Sequence, residues 1–263
     1  MRIDLEYQNL SDQRNALLFL PAFPTPKDMY INQIKLLIEN QIPFIAVNYP
    51  GIDKSEKPNK IEMSISELTT IIWDNISKLP FKKLIPIGTS MGGYVMFEMW
   101  RQHSNEIASF VFCHTRPEAL DEEGRRKRLS DIEKINENIE EYLKSFSRSL
   151  VSDYTFQNKP YVVDFINEIT KKCSKEGLSS LVHVIATRPD SRDLLRKINI
   201  PCLLFAGKSD KIVPIETMQN MAKQIEDSTL IELENVGHMS ALEVPEEFNH
   251  ILLSFLEEKS LLR

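Results

Sequence analysis

Gly88-Thr89-Ser90-Met91-Gly92-Gly93 decides how this chain reads. The apolar run Leu84-Ile85-Pro86-Ile87 leads into it, and Val95, Met96, Met99 and Trp100 follow at helical spacing. A Gly-x-Ser-x-Gly between a buried strand and a helix is a sharp turn that lifts one hydroxyl above the sheet edge. Gly88 and Gly92 leave out side chains that would block the turn, and Gly93 lets the helix pack close. The helix begins directly after Ser90, so unpaired N–H groups and the positive end of the helix dipole face any negative charge formed there. Alone, the hexapeptide also reads as a glycine-rich turn with an exposed serine. The rest of the chain decides between the two.

Strands and helices alternate on both sides of it. Upstream, Ile3, Leu5 and Tyr7 alternate with polar residues as in an edge strand, and Ala16 to Leu20 is a continuous apolar run ended by Pro21-Ala22-Phe23-Pro24. Asp28 is placed to cap a helix with Ile31, Ile34, Leu37 and Ile38 on its apolar face. Phe44 to Val47 is another buried strand, broken by Pro50-Gly51, and Ser64 with Glu67 forms a capping box ahead of Ile65, Leu68, Ile72 and Ile76. Downstream, Ile107 to Cys113 is a strand. The alternation then lapses: Leu129, Ile132, Ile135, Ile139, Leu143 and Phe146 recur at helical spacing, and no strand is expected until Cys202 to Ala206. A helix over Met218, Met221, Ala222 and Ile225, a strand over Thr229 to Leu233 and a helix from about Glu246 to Leu256 complete the chain. The expected fold is α/β, a doubly wound, mostly parallel sheet. Residues 1–114 and 188–263 form its core and 115–187 an inserted helical lid.

Composition narrows the function classes. The chain has 263 residues, 42% hydrophobic and 27% charged, with net charge −6, so it carries no basic footprint for nucleic acid. No apolar run approaches the roughly 20 residues of a membrane span, and Met1-Arg2-Ile3-Asp4 offers no signal-peptide core. Cys113 and Cys202 lie in apolar strands, where core packing is a simpler role than a disulfide or a metal site, and a cytoplasmic location is expected. No pattern in the chain speaks to oligomeric state.

A serine hydroxyl is a poor nucleophile unless a base stands within hydrogen-bond reach and a carboxylate orients that base. Reactive groups of a doubly wound sheet gather at the carboxyl ends of its strands. Ser90, Asp210 in Gly207-Lys208-Ser209-Asp210, and His238 after Gly237 all fall at such ends, in the serine–acid–histidine order of this architecture.

The sequence resembles the α/β-hydrolases, and within them the cofactor-free esterase, enol-lactonase and haloperoxidase-like branch. The matching pieces are the Ser90 turn, Gly207-x-x-Asp210-x-x-x-Pro214, and Gly237-His238 ahead of Glu243-x-Pro245-Glu246-x-Phe248. Thr115-Arg116-Pro117 with Glu122-Glu123-Gly124-Arg125 resembles the start of the branch's lid, and Arg188-Pro189-Asp190-Ser191-Arg192 its end. The chain has Pro21-Ala22 where family members often carry His-Gly. The resemblance implies that Ser90 attacks an acyl carbon, His238 acts as base and Asp210 holds its tautomer. It implies an oxyanion hole from the backbone N–H groups of Phe23 and Met91, a small ester or lactone as substrate, and no cofactor or metal. Carbon–carbon bond cleavage, peracid formation and a silent ligand-binding role on the same fold stay open. A dehalogenase does not fit, because Ser90 stands at the nucleophile position and not aspartate.

Further candidates are weaker. Phe23, Tyr30, Met91, Met239 and Trp100 are apolar enough to line an acyl pocket or simply to pack the core. His114 ends a buried strand and either faces the site or is a hydrogen-bonded structural histidine. Arg116 meets lid carboxylates or an acidic substrate, the structural role being the simpler. The charged stretch from Asp121 to Arg128 reads as a solvated helix face.

Overall fold

Continuous apolar runs become interior strands. A computed structural model describes residues 1–262, and its sheet holds seven strands in the order β1-β3-β2-β4-β5-β6-β7. These are β1 (Leu5–Gln8), β2 (Ala16–Leu20), β3 (Phe44–Val47), β4 (Leu84–Thr89), β5 (Phe110–Cys113), β6 (Cys202–Gly207) and β7 (Ser228–Leu233). Strands β2 to β6 are buried at every residue, as strands covered on both faces must be, whereas β1 and β7 at the two edges are partly exposed. β1 pairs antiparallel with β3 and every other pairing is parallel. Two apolar cores lie on the two faces of the sheet, and the three cysteines are buried and free. Among the described residues no helix is long and apolar enough to cross a membrane.

Between β5 and β6 the chain forms seven helices, Glu122–Leu129, Asp131–Glu137, Ile139–Ser149, Asp153–Asn158, Pro160–Thr170, Lys175–Thr187 and the short Arg192–Leu195, with no strand among them. The first buries no residue fully, which suits its run of charges, while Lys175–Thr187 is buried along most of its length.

Three local expectations need correction. Asp28 does not cap the helix Ile31–Glu39: a 3-10 turn over Lys27–Tyr30 runs straight into that helix, and Asp28 instead pairs with Lys172 at 2.5 Å. That helix buries Ile34 and Leu37 but leaves Ile31 49% and Ile38 40% exposed, because its buried stripe is narrower than the apolar residues available. Ile107 only bridges Leu84, and β5 begins at Phe110.

The capping box forms as expected. Ser64 Oγ accepts from the Glu67 N–H at 3.1 Å, and Glu67 Oε2 accepts from the Ser64 N–H at 2.8 Å. The Lys60 ammonium, then the Ser64 N–H and hydroxyl, draw the Glu67 carboxyl down to about 2. Its charge therefore supports the cap at neutral pH, and that support goes only as pH falls toward 2. Ser64→Ala is expected to lower the unfolding free energy by about 1 kcal/mol, read as a shift in the urea midpoint.

Candidate active site

Ser90 lies between the end of β4 and the helix Met91–His103, with φ 54 and ψ −109. A side chain in this left-handed region is strained by about 1–3 kcal/mol and persists only where its surroundings enforce it. Here they do. The Ser90 N–H donates to the Cys113 carbonyl at 2.8 Å, and the Ser90 carbonyl accepts from Thr115 Oγ1 at 2.8 Å and from the Gly93 N–H at 3.0 Å. The turn also passes too close to its neighbours for side chains: a Cβ on Gly92 would collide with the Leu20 carbonyl, and one on Gly93 with Thr115.

Beside Ser90, the Met91 N–H opens the helix, and among the described residues neither it nor the Phe23 N–H is paired. The Phe23 loop is fixed without the His-Gly pair common in the family. The Pro21 carbonyl accepts from the Tyr49 hydroxyl at 3.0 Å, and the Ala22 carbonyl accepts from the Thr25 N–H at 2.8 Å. Ala22 is not in the left-handed region, so a glycine is not required there.

Asp210 follows β6. Its Oδ1 accepts from the N–H groups of Ile212 at 2.8 Å and Val213 at 3.0 Å. Its Oδ2 meets two imidazoles, His238 Nδ1 at 2.7 Å and His114 Nδ1 at 3.3 Å. Burial alone would raise this carboxyl, but the charge of His238 and hydrogen bonds from both histidines outweigh it and hold Asp210 well below the usual carboxylate range. His238 follows β7, and its N–H donates to the Leu150 carbonyl at 2.9 Å. With Nδ1 engaged, its Nε2 is the nitrogen left to work. Ser90 and His238 line one cleft of about 30 Å³, together with Phe23, Tyr94, Phe146 and Leu150. No hydrogen bond joins Ser90 Oγ to His238, a looseness common in unliganded sites.

Of the four candidate substrate contacts, only Phe23 lines this cleft. Tyr30 is fully buried, its ring tilted against that of Phe19, with its hydroxyl on Thr89 Oγ1 at 2.8 Å and the Leu20 carbonyl at 3.1 Å. Met239 is fully buried in the core on one face of the sheet. His114 stands behind Asp210 with its Nε2 on Ser240 Oγ at 2.8 Å. Sequence reasoning missed what the helical segment brings to the cleft, namely Phe146, Leu150, Ile185 and Arg128. Helical periodicity marked Phe146 as apolar but carried no sign of what it would face.

The ligand atoms of His114, Asp210 and His238 lie within 4.8 Å of one another, a spacing that invites a metal reading. The detail argues for hydrogen bonds. Two ligands each about 2.0–2.2 Å from a tetrahedral ion stand well over 3 Å apart, whereas Asp210 Oδ2 and His238 Nδ1 are 2.7 Å apart. Both oxygens of Asp210 are also occupied by N–H donors or imidazole nitrogens.

A strained serine at a strand-to-helix turn, with a histidine–aspartate pair at neighbouring strand ends, belongs to a hydrolytic α/β fold. The family model for the alpha/beta hydrolase fold matches residues 15–245, and the chain belongs to that family. A monoacylglycerol lipase of Mus musculus is 24% identical over 258 residues, covering 92% of this chain and 75% of the lipase. A thermophilic esterase from Thermogutta terrifontis superposes with a TM-score of 0.87 at 24% identity, covering 98% of this chain and 94% of the esterase. An enol-lactonase from Burkholderia xenovorans LB400 superposes with a TM-score of 0.81 at 19% identity, covering 97% of each chain.

Proposed function

We propose that this protein is a serine hydrolase that cleaves small carboxylic esters or lactones through an acyl-enzyme on Ser90. The observation that carries the reading is the 2.7 Å His238–Asp210 contact beside a strained Ser90 that opens on the same cleft. Ser90 Oγ attacks the acyl carbon while His238 Nε2 takes the hydroxyl proton. The oxyanion forms against the N–H groups of Phe23 and Met91, each donor of this kind accounting for about 10²–10³ in rate. His238 returns the proton to the departing alcohol oxygen as the carbon–oxygen bond breaks. Water then adds to the acyl-enzyme with His238 again as base, releasing the acid and restoring Ser90. Asp210 holds the imidazole with Nε2 toward the serine. Residues 115–187 act as a lid over the core formed by 1–114 and 188–263, with Phe146 and Leu150 walling the cleft. The lipase and esterase among its relatives agree with ester chemistry.

The test is hydrolysis of p-nitrophenyl acetate and butyrate together with covalent labelling by a fluorophosphonate. Turnover with stoichiometric labelling at Ser90 is expected. A folded protein that does neither would sink the reading.

The pH profile has a defined sign. A carboxyl held below its ordinary value near 3.9 adds stability above that pH and loses it only as pH falls through the lowered value. Asp210 therefore stays ionised through the working range, so a loss of turnover on mild acidification does not come from its carboxyl. Turnover of p-nitrophenyl butyrate is expected to fall in acid, because a general base needs a free lone pair on Nε2. A rate that stays flat into acid until the fold itself fails would remove His238 as base.

A further inference from the structure

The cleft at Ser90 opens into a larger cavity of about 560 Å³ that shares Tyr94, Arg128, Phe146, Ile185 and Ile212 with it. The charged lining of that cavity is one-sided. Arg116, Lys127, Arg128, Lys134 and Arg188 face a single carboxylate, Asp131. This occurs in a chain of net charge −6, so the basic lining does not follow from composition.

The three guanidinium groups are held rather than free. Arg188 is only 5% exposed; its Nη1 donates to the Ile185 carbonyl at 2.7 Å and its Nη2 to the Glu118 carbonyl at 2.8 Å. Its Nε is buried without a partner among the described residues, and its guanidinium lies 4.0 Å from the Tyr94 ring centroid. Arg116 donates to the Ile212 carbonyl. Arg116 and Arg188 thus spend their hydrogen bonds on carbonyls, and neither pairs with a carboxylate among the described residues. Arg128 does pair with Asp131, at 3.1 Å, but Asp131 also accepts from Lys134 at 2.9 Å. Burial lowers the Arg188 group; Tyr94 opposes this, the charges of Arg116 and Arg128 lower it further, and the Glu118 carboxylate opposes them least. Like charges kept this close in a half-closed cavity repel, and a bound anion would relieve that repulsion. Planar guanidinium forks match a carboxylate in geometry.

Position ties this cavity to the chemistry. The Arg128 guanidinium lies 5.6 Å from the ring centroids of both Phe23 and Phe146, and Phe23 carries one of the two N–H groups assigned to the oxyanion. An acyl chain leaving the Ser90 centre past these rings runs toward the arginines.

We infer that the cavity is a carboxylate subsite, so that the substrate is an anionic acyl compound, a half-ester or lactone bearing a free carboxylate on the end remote from the reacting carbonyl. The substrate's ester end rests on the hydrolase reading above, whereas the subsite can be measured apart from it. Ser90→Ala protein is titrated calorimetrically with monomethyl adipate and with dimethyl adipate, ligands that differ in one charge. The half-ester is expected to bind at least about tenfold more tightly, the worth of one charge-assisted contact. The preference should shrink several-fold when Arg128→Gln is added, and also on raising the salt in the Ser90→Ala protein itself, which needs no second substitution. Equal affinity for the two ligands, tighter binding of the diester, or no binding of the half-ester overturns the subsite. Wild-type turnover of the p-nitrophenyl half-ester of adipic acid separates the two claims. Charge-selective binding without turnover or labelling sinks the hydrolase reading alone; turnover without charge preference sinks the subsite alone.

Discussion

Ser90→Ala is expected to lower kcat for p-nitrophenyl butyrate by about 10⁴–10⁶ and to abolish fluorophosphonate labelling, while the fold survives. The size follows from what is removed. Without Ser90 Oγ no acyl-enzyme forms, and the intact histidine–aspartate pair has no hydroxyl to deprotonate. What remains is water attack helped by the Phe23 and Met91 N–H groups, which accounts for a residue of catalysis above background. Stability gives a second, independent reading. Ser90 is held at φ 54, a conformation alanine adopts no more easily than serine, so Ser90→Ala should unfold close to wild type. Ser90→Gly removes the penalty and should raise the unfolding free energy by about 1 kcal/mol after the entropy glycine adds to the unfolded chain, read as a higher urea midpoint. An inactive protein more stable than the active one would locate the strain at the reacting residue. An Ser90→Ala protein with wild-type turnover would move the nucleophile elsewhere.

The frame of this site is legible in the sequence because each part is a local pattern. Ala16 to Leu20, Leu84 to Ile87 and Cys202 to Ala206 are too uniformly apolar to be half-exposed, so they read as interior strands, and β2, β4 and β6 are. The glycines about Ser90 announce a turn without room for side chains, and the backbone there is that crowded. Serine, aspartate and histidine after the strands that became β4, β6 and β7 announce one edge of the sheet, and Asp210 and His238 meet there. What the sequence hides depends on which face a side chain takes after a turn. Tyr30 and Met239 stand near the right loops in sequence but point into the core, where Tyr30 caps the Leu20 carbonyl. His114 follows β5 with φ 48, and this turn sends it behind Asp210 instead of into the cleft. The helical segment hides most. Amphipathic spacing gives each helix an inner face but not its neighbour, so Arg128, in a stretch that reads as solvated, ends over Phe23 and Phe146.

Glu243 is the other residue whose loss should be felt most, although it touches neither Ser90 nor the cleft. It is 1% exposed and no cation pairs with its carboxylate among the described residues. Its charge is balanced by N–H and O–H donors. Oε1 accepts from Gly237 N–H at 2.9 Å and Met239 N–H at 3.1 Å, and Oε2 accepts from Ser152 N–H at 3.0 Å and Thr155 Oγ1 at 2.7 Å. Two of these donors flank His238 and two belong to the helical segment, so one side chain ties the His238 loop to that segment. The His238 N–H donating to Leu150 runs parallel to this tie. Gly237 leaves no slack, because a Cβ there would collide with the Ser152 nitrogen. In Glu243→Gln one oxygen becomes an NH₂ that cannot accept, and at least one buried backbone N–H is left facing a donor. Losing charge-assisted bonds of about 1.5–3 kcal/mol each and stranding a donor should cost about 3 kcal/mol, or about 6–12 °C in Tm for a chain of this size. The loop carrying His238 would then sit less firmly, and a base displaced by about 1 Å loses on the order of 10² in rate. The loss should appear in kcat and in the rate of fluorophosphonate labelling more than in KM, since no substrate contact is removed. A Glu243→Gln protein with wild-type Tm and labelling rate would show that the parallel bond to Leu150 holds His238 unaided. Lower Tm with an unchanged labelling rate would make Glu243 a structural strut for the helical segment and nothing more.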